Sequence, residues 1–224
     1  MRVMILAAGR GNRLRPLTDT IPKPLIEVNG KALIVRHLEH LRAGGFTEIV
    51  INVAWLAERI KAQLGSGSQY GVHIRYSDEP EGALETGGGI LQALPLLGAQ
   101  PFLVVGADIY TDFPFAGLKA VLARDDLAHL VMVPNPPHHR DGDFFLDGNG
   151  RLHAGGTPQL TYAGIGVHRA EFFRDCSPGK FPMLPWWQRA MRAGRVSGEV
   201  YRGGWQDIGT PESLRALGAV NSGS

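Results

Sequence analysis

The chain has 224 residues, of which 44% are hydrophobic and 20% are charged, and its formal net charge is +2. This length fits one large α/β domain with a sizeable core, and so small a net charge gives no support to nucleic-acid binding. No apolar run is long enough to cross a bilayer, and the N-terminus lacks the pattern of a signal peptide. We therefore expect a cytoplasmic protein that binds neither nucleic acid nor membranes, in which the one cysteine, Cys176, is a buried small residue.

The first element is an apolar run, residues 3–8, which predicts a buried strand leading into a glycine loop. Gly9 and Gly11 are separated by one residue, and glycines let backbone N–H groups approach an anion closely. Arg13 and Lys23 follow, and their cations would neutralise phosphate charge. An ordinary strand and turn with incidental basic residues is the alternative. The combination favours a loop that binds a nucleoside triphosphate.

The chain then alternates between helical and strand patterns. Apolar periodicity predicts helices over residues 31–43 and 56–64, and β-branched or apolar runs predict strands over 48–53, 72–76 and 102–105. Such alternation is typical of βαβ units with right-handed connections. The sequence therefore predicts an α/β fold with a Rossmann-like, mostly parallel twisted sheet flanked by helices.

Two features of this first part indicate ligand contacts. Three glycines, residues 87–89, stand at the start of a predicted helix, 90–94, although glycine is a poor helix former. They make sense where backbone lies against a flat ligand, the alternative being a flexible loop. Asp108 follows a predicted strand, and open α/β sheets bind ligands beyond the carboxyl ends of their strands. We expect Asp108 to hold a metal ion, the alternative being a helix or turn cap.

The second part is richer in short strands and predicts an insertion that closes the other side of a pocket. A polar loop, 134–143, contains His138 and His139, which we expect to be solvated or to line the substrate rather than to bind metal. The predicted elements around this loop are a helix over 118–122, strands over 130–133, 144–146, 151–153, 161–167 and 196–201, and a helix over 181–191.

Asp207 is a second candidate metal ligand. It lies in a glycine-flanked turn just before Thr210 and Pro211, which predict an N-cap and the first residue of a helix. Mg²⁺ binds one or two carboxylates together with phosphate oxygens and waters. The chain lacks the Walker, protein-kinase and esterase motifs. Asp108 and Asp207 therefore suit a Mg²⁺-dependent transfer between phosphates.

These residues resemble the signature of the sugar-1-phosphate nucleotidyltransferases. The signature covers Leu6-Ala7-Ala8-Gly9-x-Gly11-x-Arg13-Leu14-x-Pro16-Leu17-Thr18, Pro22-Lys23-Pro24-Leu25, Glu85-Thr86-Gly87-Gly88, Asp108 and Trp205-x-Asp207-Ile208-Gly209-Thr210-Pro211, in family order. The resemblance implies the nucleotide-diphospho-sugar transferase fold, in one domain over residues 1–220 with a tail at 221–224. Within this domain, residues 1–133 would bind the nucleotide, and residues 134–220 would form a smaller, β-rich sugar-binding part.

The resemblance also implies the reaction and the residues that carry it. Arg13, Lys23 and Asp108 would be catalytic, and Mg²⁺ would bind Asp108 and Asp207. The nucleotide would contact Ala8, Gly9, Gly11, Asn12, Arg13, Lys23, Gly87 and Gly88, and the sugar phosphate would contact Gly142, Asp143, Thr161 and Gly164. One departure is that Gly106-Ala107-Asp108 offers a single carboxylate where many family members carry Asn-Gly-Asp or Asp-x-Asp.

Within the family, the short chain and its His138-His139-x-x-Gly142-Asp143-Phe144 segment resemble the uridylyltransferases of peptidoglycan recycling that use UTP and N-acetylmuramate 1-phosphate. His139, Arg140 and Arg202 are candidates to bind the lactyl carboxylate of that sugar. The alternatives are a guanylyl- or thymidylyltransferase acting on mannose, heptose or glucose 1-phosphate, or a non-catalytic regulatory module that binds nucleotide sugars. An NAD-binding oxidoreductase is disfavoured, because the Pro22-Lys23-Pro24 insertion interrupts the βα turn. We expect a monomer or a small homo-oligomer.

Overall fold

The computed structural model describes residues 1–80 and 83–219, so the predicted tail at 221–224 lies outside the described residues. The helices are α1 (Leu33–Ala43), α2 (Ala57–Leu64), α3 (Glu85–Leu97), α4 (Leu184–Arg192) and α5 (Pro211–Ala219). The strands are β1 (Arg2–Leu6), β2 (Glu27–Val28), β3 (Lys31–Ala32), β4 (Glu48–Val53), β5 (His73–Asp78), β6 (Phe102–Gly106), β7 (Ile109–Thr111), β8 (Ala128–Val133), β9 (Phe144–Leu146), β10 (Leu152–His153), β11 (Gln159–His168), β12 (Val196–Val200) and β13 (Trp205–Asp207). None of the described helices combines the length and the apolar character that crossing a membrane requires.

A mixed sheet forms the centre of the described residues. Its parallel part runs β6-β1-β4-β5, and the long strand β11 joins it antiparallel to β6. On its other side β11 pairs with β8 and with the β9–β10 hairpin, and β12 continues the sheet parallel to β8. The sheet thus connects the predicted nucleotide-binding part with the predicted sugar-binding part, and it confirms the expected α/β architecture.

The parallel strands are apolar along their whole length because helices cover both faces of the sheet. In β1, Val3 and Ile5 pack into one core with Leu38 of α1, whereas Met4 packs into the opposite core with Ile90 of α3. All five side chains are fully buried. This double covering leaves the carboxyl ends of the strands as the open edge of the sheet.

A small ribbon of β7 and β13 stands next to that edge. The two strands pair antiparallel, and the backbone N–H of Ile208 donates to the carbonyl oxygen of Asp108 at 2.8 Å. Ile208 is fully buried in a third apolar cluster with Leu14 and Leu217, and this cluster ties α5 to the opening loop. The ribbon therefore brings the backbone of Asp207 next to that of Asp108.

Several predicted elements need correction. Residues 118–122 do not form an α-helix, because the chain makes a 3₁₀ segment at Phe115–Ala120 that starts after Pro114 and contains Gly117. The first helix begins at Leu33 rather than at residue 31, because residues 31 and 32 pair with β2. Cys176 is half-buried rather than buried. The strands β7 and β13 were not predicted, since three residues are too few to show a period.

Candidate active site

A cavity of about 680 Å³ lies at the carboxyl ends of β1, β4 and β6 and against β11. Most of the predicted site residues line it, namely Ala8, Gly9, Gly11, Asn12, Arg13, Lys23, Asp108 and Gly164. The other lining residues are Leu6, Ala7, Pro24, Asn52, Glu79, Ala83, Glu85, Thr86, Gly106, Ala107, Tyr162, Pro182, Met183, Leu184, Trp187 and Gly209. The two strand ends Asn52 and Gly106 flank the opening loop, so the loop sits at the middle of the cavity.

The opening loop is held in one conformation by local contacts. Gly11 has a φ of 72°, in the left-handed region that favours glycine. A side chain there would also lie 3.0 Å from Thr18 and 3.2 Å from the stem of Lys23. The hydroxyl of Thr18 donates to the carbonyl oxygen of Gly11 at 2.9 Å, and the indole N–H of Trp55 donates to the carbonyl oxygen of Thr18 at 2.8 Å. The loop is therefore preorganised to present backbone N–H groups to an anion.

Lys23 and Asp108 form an ion pair at the floor of the cavity. The Nζ atom of Lys23 lies 2.5 Å from Oδ2 of Asp108, and the Lys23 side chain is only 13% exposed. The prolines on both sides of Lys23 fix its backbone, and a short 3₁₀ turn, Lys23–Leu25, places the side chain under the loop. A cation and a carboxylate are thus both positioned where phosphates would bind.

Asp207 lies in β13, which pairs with β7 directly after Asp108, and it does not line the cavity. Its Oδ1 atom is buried without a hydrogen-bond partner. The Nε2 atom of His138 lies 3.1 Å from that oxygen, at an angle that does not make a hydrogen bond. A buried carboxylate oxygen without a hydrogen-bond partner fits a cation ligand, and the backbone of Asp207 lies next to that of Asp108. No cluster of three or more acidic, histidine or cysteine ligands occurs in the described residues, so a metal here would take its other ligands from phosphates and water, as Mg²⁺ does.

Asn52 and Glu79 form a buried polar network at the end of β4 and β5 that sequence reasoning missed. The side-chain oxygen of Asn52 accepts the N–H of Ala7 at 2.9 Å, and its amide donates to Oε1 of Glu79 at 2.6 Å. The other Glu79 oxygen accepts the N–H of Leu84 at 2.7 Å. The one available signal was a polar residue, Asn52, inside an otherwise β-branched strand. The network joins the glycine loop to the start of α3.

Gly87 and Gly88, which were predicted to contact the nucleotide, have a packing role in this structure. Neither lines the cavity, and both N–H groups donate to the carbonyl oxygen of Phe181, at 3.0 and 3.2 Å. A side chain at Gly87 would lie 2.4 Å from the Phe181 ring, and one at Gly88 would lie 2.1 Å from the carbonyl oxygen of Gly179. The glycines let the segment before α4 lie against α3, and at this edge Glu85 and Thr86 face the cavity instead.

Gly142, Asp143 and Thr161 likewise lie outside the cavity lining. Thr161 donates from its hydroxyl to the side-chain oxygen of Asn135 at 2.9 Å, and Asp143 accepts the N–H of Tyr162 at 2.8 Å. Gly142 has a positive φ of 71° and abuts the same Asn135 side chain. These residues close the polar loop onto β11. Of the predicted sugar-phosphate residues, the structure places only Gly164 in the cavity.

The positive charge of the cavity comes from the opening loop. Among the described residues, Arg13 and Lys23 are the cationic side chains that line it, and Arg13 lies against Gly209 before α5. Arg10 stacks on the ring of Trp55 and does not line the cavity. The candidates for binding a lactyl carboxylate, His139, Arg140 and Arg202, also lie outside the lining. His139 instead contacts Asp143 at 3.0 Å.

A second depression of about 510 Å³ lies between α1 and β7. Its lining includes His37, whose side chain is buried and whose ring Nε2 atom has no hydrogen-bond partner. Burial lowers the pKa of His37 to about 4, so the ring is neutral at pH 7. None of the predicted site residues lines this depression. The glycine loop lines the other cavity instead.

The fold and the cavity define an α/β protein with a preorganised anion-binding loop and carboxylates at the ends of parallel strands. The family model for nucleotidyl transferases matches residues 2–154, and the chain belongs to this family, whose members transfer a nucleotidyl group to a sugar 1-phosphate. The chain is 53% identical to an N-acetylmuramate alpha-1-phosphate uridylyltransferase of Neisseria meningitidis, over 98% of both chains. It is 38% identical to a protein of the same name from Caulobacter vibrioides, over 96% of this chain and 95% of that one.

Solved structures show the same fold. A Bacillus anthracis protein named as a glucose-1-phosphate thymidylyltransferase, in complex with sucrose, matches with a TM-score of 0.87 over all of this chain and 96% of its own, at 19% identity. HddC from Yersinia pseudotuberculosis, in complex with GMP-PN, matches with a TM-score of 0.81 over 98% of both chains, at 22% identity. These likenesses confirm the predicted nucleotide-diphospho-sugar transferase fold.

Proposed function

We propose that this chain transfers the uridylyl group of UTP to N-acetylmuramate 1-phosphate, giving the UDP-sugar and pyrophosphate. The observation that carries the proposal is the pairing of the glycine loop with Lys23 and Asp108 in one cavity. The two uridylyltransferase relatives, alike over almost their whole length, support the choice of nucleotide and sugar. The reaction would serve peptidoglycan recycling in the cytoplasm, where UTP is available.

The chemistry needs positioning and charge neutralisation rather than a general base. The acceptor phosphate is already an oxyanion, and its oxygen attacks the α-phosphorus of UTP while the bond to the pyrophosphate oxygen breaks. Lys23 would stabilise charge at the α-phosphate, and Arg13 would bind the phosphates that leave. Asp108 and Asp207 would hold Mg²⁺, which supplies further neutralisation of phosphate charge when bound.

Glu79 offers a fixed hydrogen-bond acceptor to a nucleotide base. Glu79 lines the cavity, and its carboxylate is fixed by Asn52 and by the backbone of Leu84. A carboxylate only accepts hydrogen bonds, so it suits a base that offers an imino N–H. Uracil, thymine and guanine have this group, whereas adenine and cytosine in their usual forms do not. Adenine and cytosine can donate to such an acceptor only from their exocyclic amino groups, so the fixed carboxylate is compatible with both UTP and GTP.

A guanylyltransferase acting on mannose 1-phosphate is the second candidate. A mannose-1-phosphate guanyltransferase of Neurospora crassa is 39% identical over 96% of this chain, although that match covers 62% of the relative. Guanine satisfies the same carboxylate. The sequence alternative of a non-catalytic regulatory module is less well supported, because the cations and carboxylates needed for transfer are present.

The test is pyrophosphate release measured over a panel of four nucleoside triphosphates and the 1-phosphates of N-acetylmuramate, N-acetylglucosamine, glucose and mannose. We expect UTP with N-acetylmuramate 1-phosphate to give a kcat/KM at least about tenfold above every other pair, a difference of about 1.4 kcal/mol. A higher value for GTP with mannose 1-phosphate would replace the proposal with the second candidate. Binding of UTP without pyrophosphate release from any pair would favour the regulatory module.

A further inference from the structure

The end of the cavity formed by β11 and the start of α4 is largely apolar, with the Tyr162 hydroxyl as its polar group. It is lined by Tyr162, Pro182, Met183, Leu184 and Trp187, none of which is charged. The glycine loop, Lys23 and Asp108 lie at the strand ends between this wall and Asn52. If the nucleotide occupies the side of Asn52, the wall therefore faces the acceptor sugar.

Leu184 is unusual for its exposure. Its side chain lies on the rim of the cavity, and the residue is 47% exposed, one of few large apolar residues with so much exposure in the described chain. About half of this residue is in contact with water, and an apolar ligand group would remove that part from water.

Trp187 presents only its apolar surface to the cavity. Its indole N–H donates to Nε2 of His168 at 3.1 Å, and His168 is fully buried behind it. Burial lowers the pKa of His168 to about 4, so its ring is neutral and accepts this hydrogen bond at pH 7. The ring of Tyr162 packs edge-on against Trp187 with centroids 4.8 Å apart. The polar atom of Trp187 is thus already satisfied in the core.

The wall is also fixed in place. The carbonyl oxygen of Phe181 accepts the N–H groups of Gly87 and Gly88, and the N–H of Phe181 donates to the carbonyl oxygen of Leu84 at 3.2 Å. These bonds attach the segment before α4 to the start of α3. An apolar surface that is rigid before the ligand arrives can discriminate between ligands by shape.

We propose that this wall, centred on Leu184 and Trp187, binds the methyl groups of the acetamido and lactyl substituents and so selects N-acylated acceptor sugars over plain hexose 1-phosphates. The inference rests on the proposed function, because it takes the acceptor to be N-acetylmuramate 1-phosphate. Glucose and mannose carry hydroxyl groups at the corresponding positions and gain nothing from an apolar wall. One methyl-sized group in an apolar pocket is worth about tenfold in kcat/KM.

The test compares the wild-type enzyme with Leu184→Ala, a change at an exposed position that removes little packing, and with Leu122→Ala, a control at a half-buried leucine that packs on the core outside the cavity. We expect Leu184→Ala to lower kcat/KM for N-acetylmuramate 1-phosphate about tenfold through KM. The values for glucose 1-phosphate and the KM for UTP should stay within about twofold. Saturation-transfer NMR should show contact with the acetyl and lactyl methyl protons in the wild type and weaker contact in Leu184→Ala.

Two outcomes would overturn this inference alone, and a third would overturn it together with the proposed function. If the wild type prefers N-acetylmuramate 1-phosphate but Leu184→Ala keeps that preference, only the inference about the wall is overturned. An equal loss for every sugar phosphate would also overturn it, because it would show a general role for Leu184. If the wild type uses no N-acylated sugar phosphate, the proposed function and the inference both fail.

Discussion

Lys23 shows how single residues build this site. Its aliphatic stem packs against Gly11, and its ammonium group forms an ion pair with Asp108. Its backbone is held between two prolines, Pro22 and Pro24. A lysine so constrained loses less side-chain entropy on binding a phosphate than a free one would. The ion pair with Asp108 also keeps both charges in place before substrate arrives, and phosphates would then take over part of the interaction with Lys23.

We predict that Lys23→Ala, Asp108→Ala and Asp207→Ala each leave a folded protein whose turnover is at least about tenfold lower. This loss corresponds to about 1.4 kcal/mol of transition-state stabilisation from phosphate charge. The measurement is kcat for pyrophosphate release, with thermal unfolding as the check on folding. Arg10→Ala is the matched control, because this exposed cation sits on the same loop but outside the cavity. Near-wild-type turnover in Asp207→Ala would remove that residue from the metal site.

Individual residues of the loop were predictable, and their partners across the chain were not. Gly11 and Lys23 belong to a local pattern with a clear physical purpose. Asn52 and Glu79 are single polar residues at strand ends, and their importance depends on β4 and β5 lying beside β1. Similarly, Gly142, which was predicted to contact the sugar phosphate, lies outside the cavity lining and abuts Asn135 where the polar loop closes onto β11. Whether such a residue contacts a ligand or another part of the chain depends on the packing between distant segments.

At the scale of elements, the site depends on how strands and helices are attached to one another. The Asn52–Glu79 network links the end of β1, strand β4 and the start of α3 through four polar groups. Each accepting oxygen of Glu79 receives one hydrogen bond from a donor that would otherwise be unsatisfied. Since Glu79 is largely buried at the edge of the cavity, water replaces a lost partner only in part.

Glu79→Gln tests this attachment. A glutamine amide offers one accepting oxygen and one N–H₂ group, so either the Asn52 amide or the N–H of Leu84 would face a donor. We expect the free energy of unfolding to fall by about 1–3 kcal/mol and the KM for UTP to rise severalfold, measured by urea denaturation and by steady-state kinetics.

Asp78→Asn is the control for that substitution. Asp78 is the neighbouring acid at the end of β5, and its exposed ion pair with Lys61 should contribute less than about 1 kcal/mol. Equal losses in the two variants would show that Glu79 has no special role in joining β4 to α3.

The elements themselves were predictable wherever a pattern was long enough. The run at 48–53 matches β4 residue for residue, and the apolar run at 102–105 lies within β6. The antiparallel insertion of β11 beside β6 could not be read from the sequence, because pairing depends on which strands meet in space. The β7–β13 ribbon was also missed, although it brings the backbone of Asp207 to that of Asp108.

At the scale of the whole molecule, two buried histidines couple stability to pH. His37 and His168 lie in different parts of the fold, and burial lowers the pKa of each from 6.5 to about 4. Between these values the unfolded chain binds protons that the folded chain does not. The stability therefore rises with pH over this range, and it is lost as the pH falls below about 6.5.

His168→Gln should weaken this dependence. Glutamine keeps an oxygen that can accept the N–H of Trp187 but does not titrate, so the slope of the unfolding free energy between pH 4 and 6.5 should decrease by up to about 1.4 kcal/mol per pH unit. Urea denaturation at pH 4.5, 5.5 and 7.5 measures this slope. Phe173→Leu removes packing from the same aromatic cluster without removing a titrating group, so its loss of stability should be the same at every pH. A slope for His168→Gln that matches the wild type would show that His168 does not contribute to the pH dependence of folding.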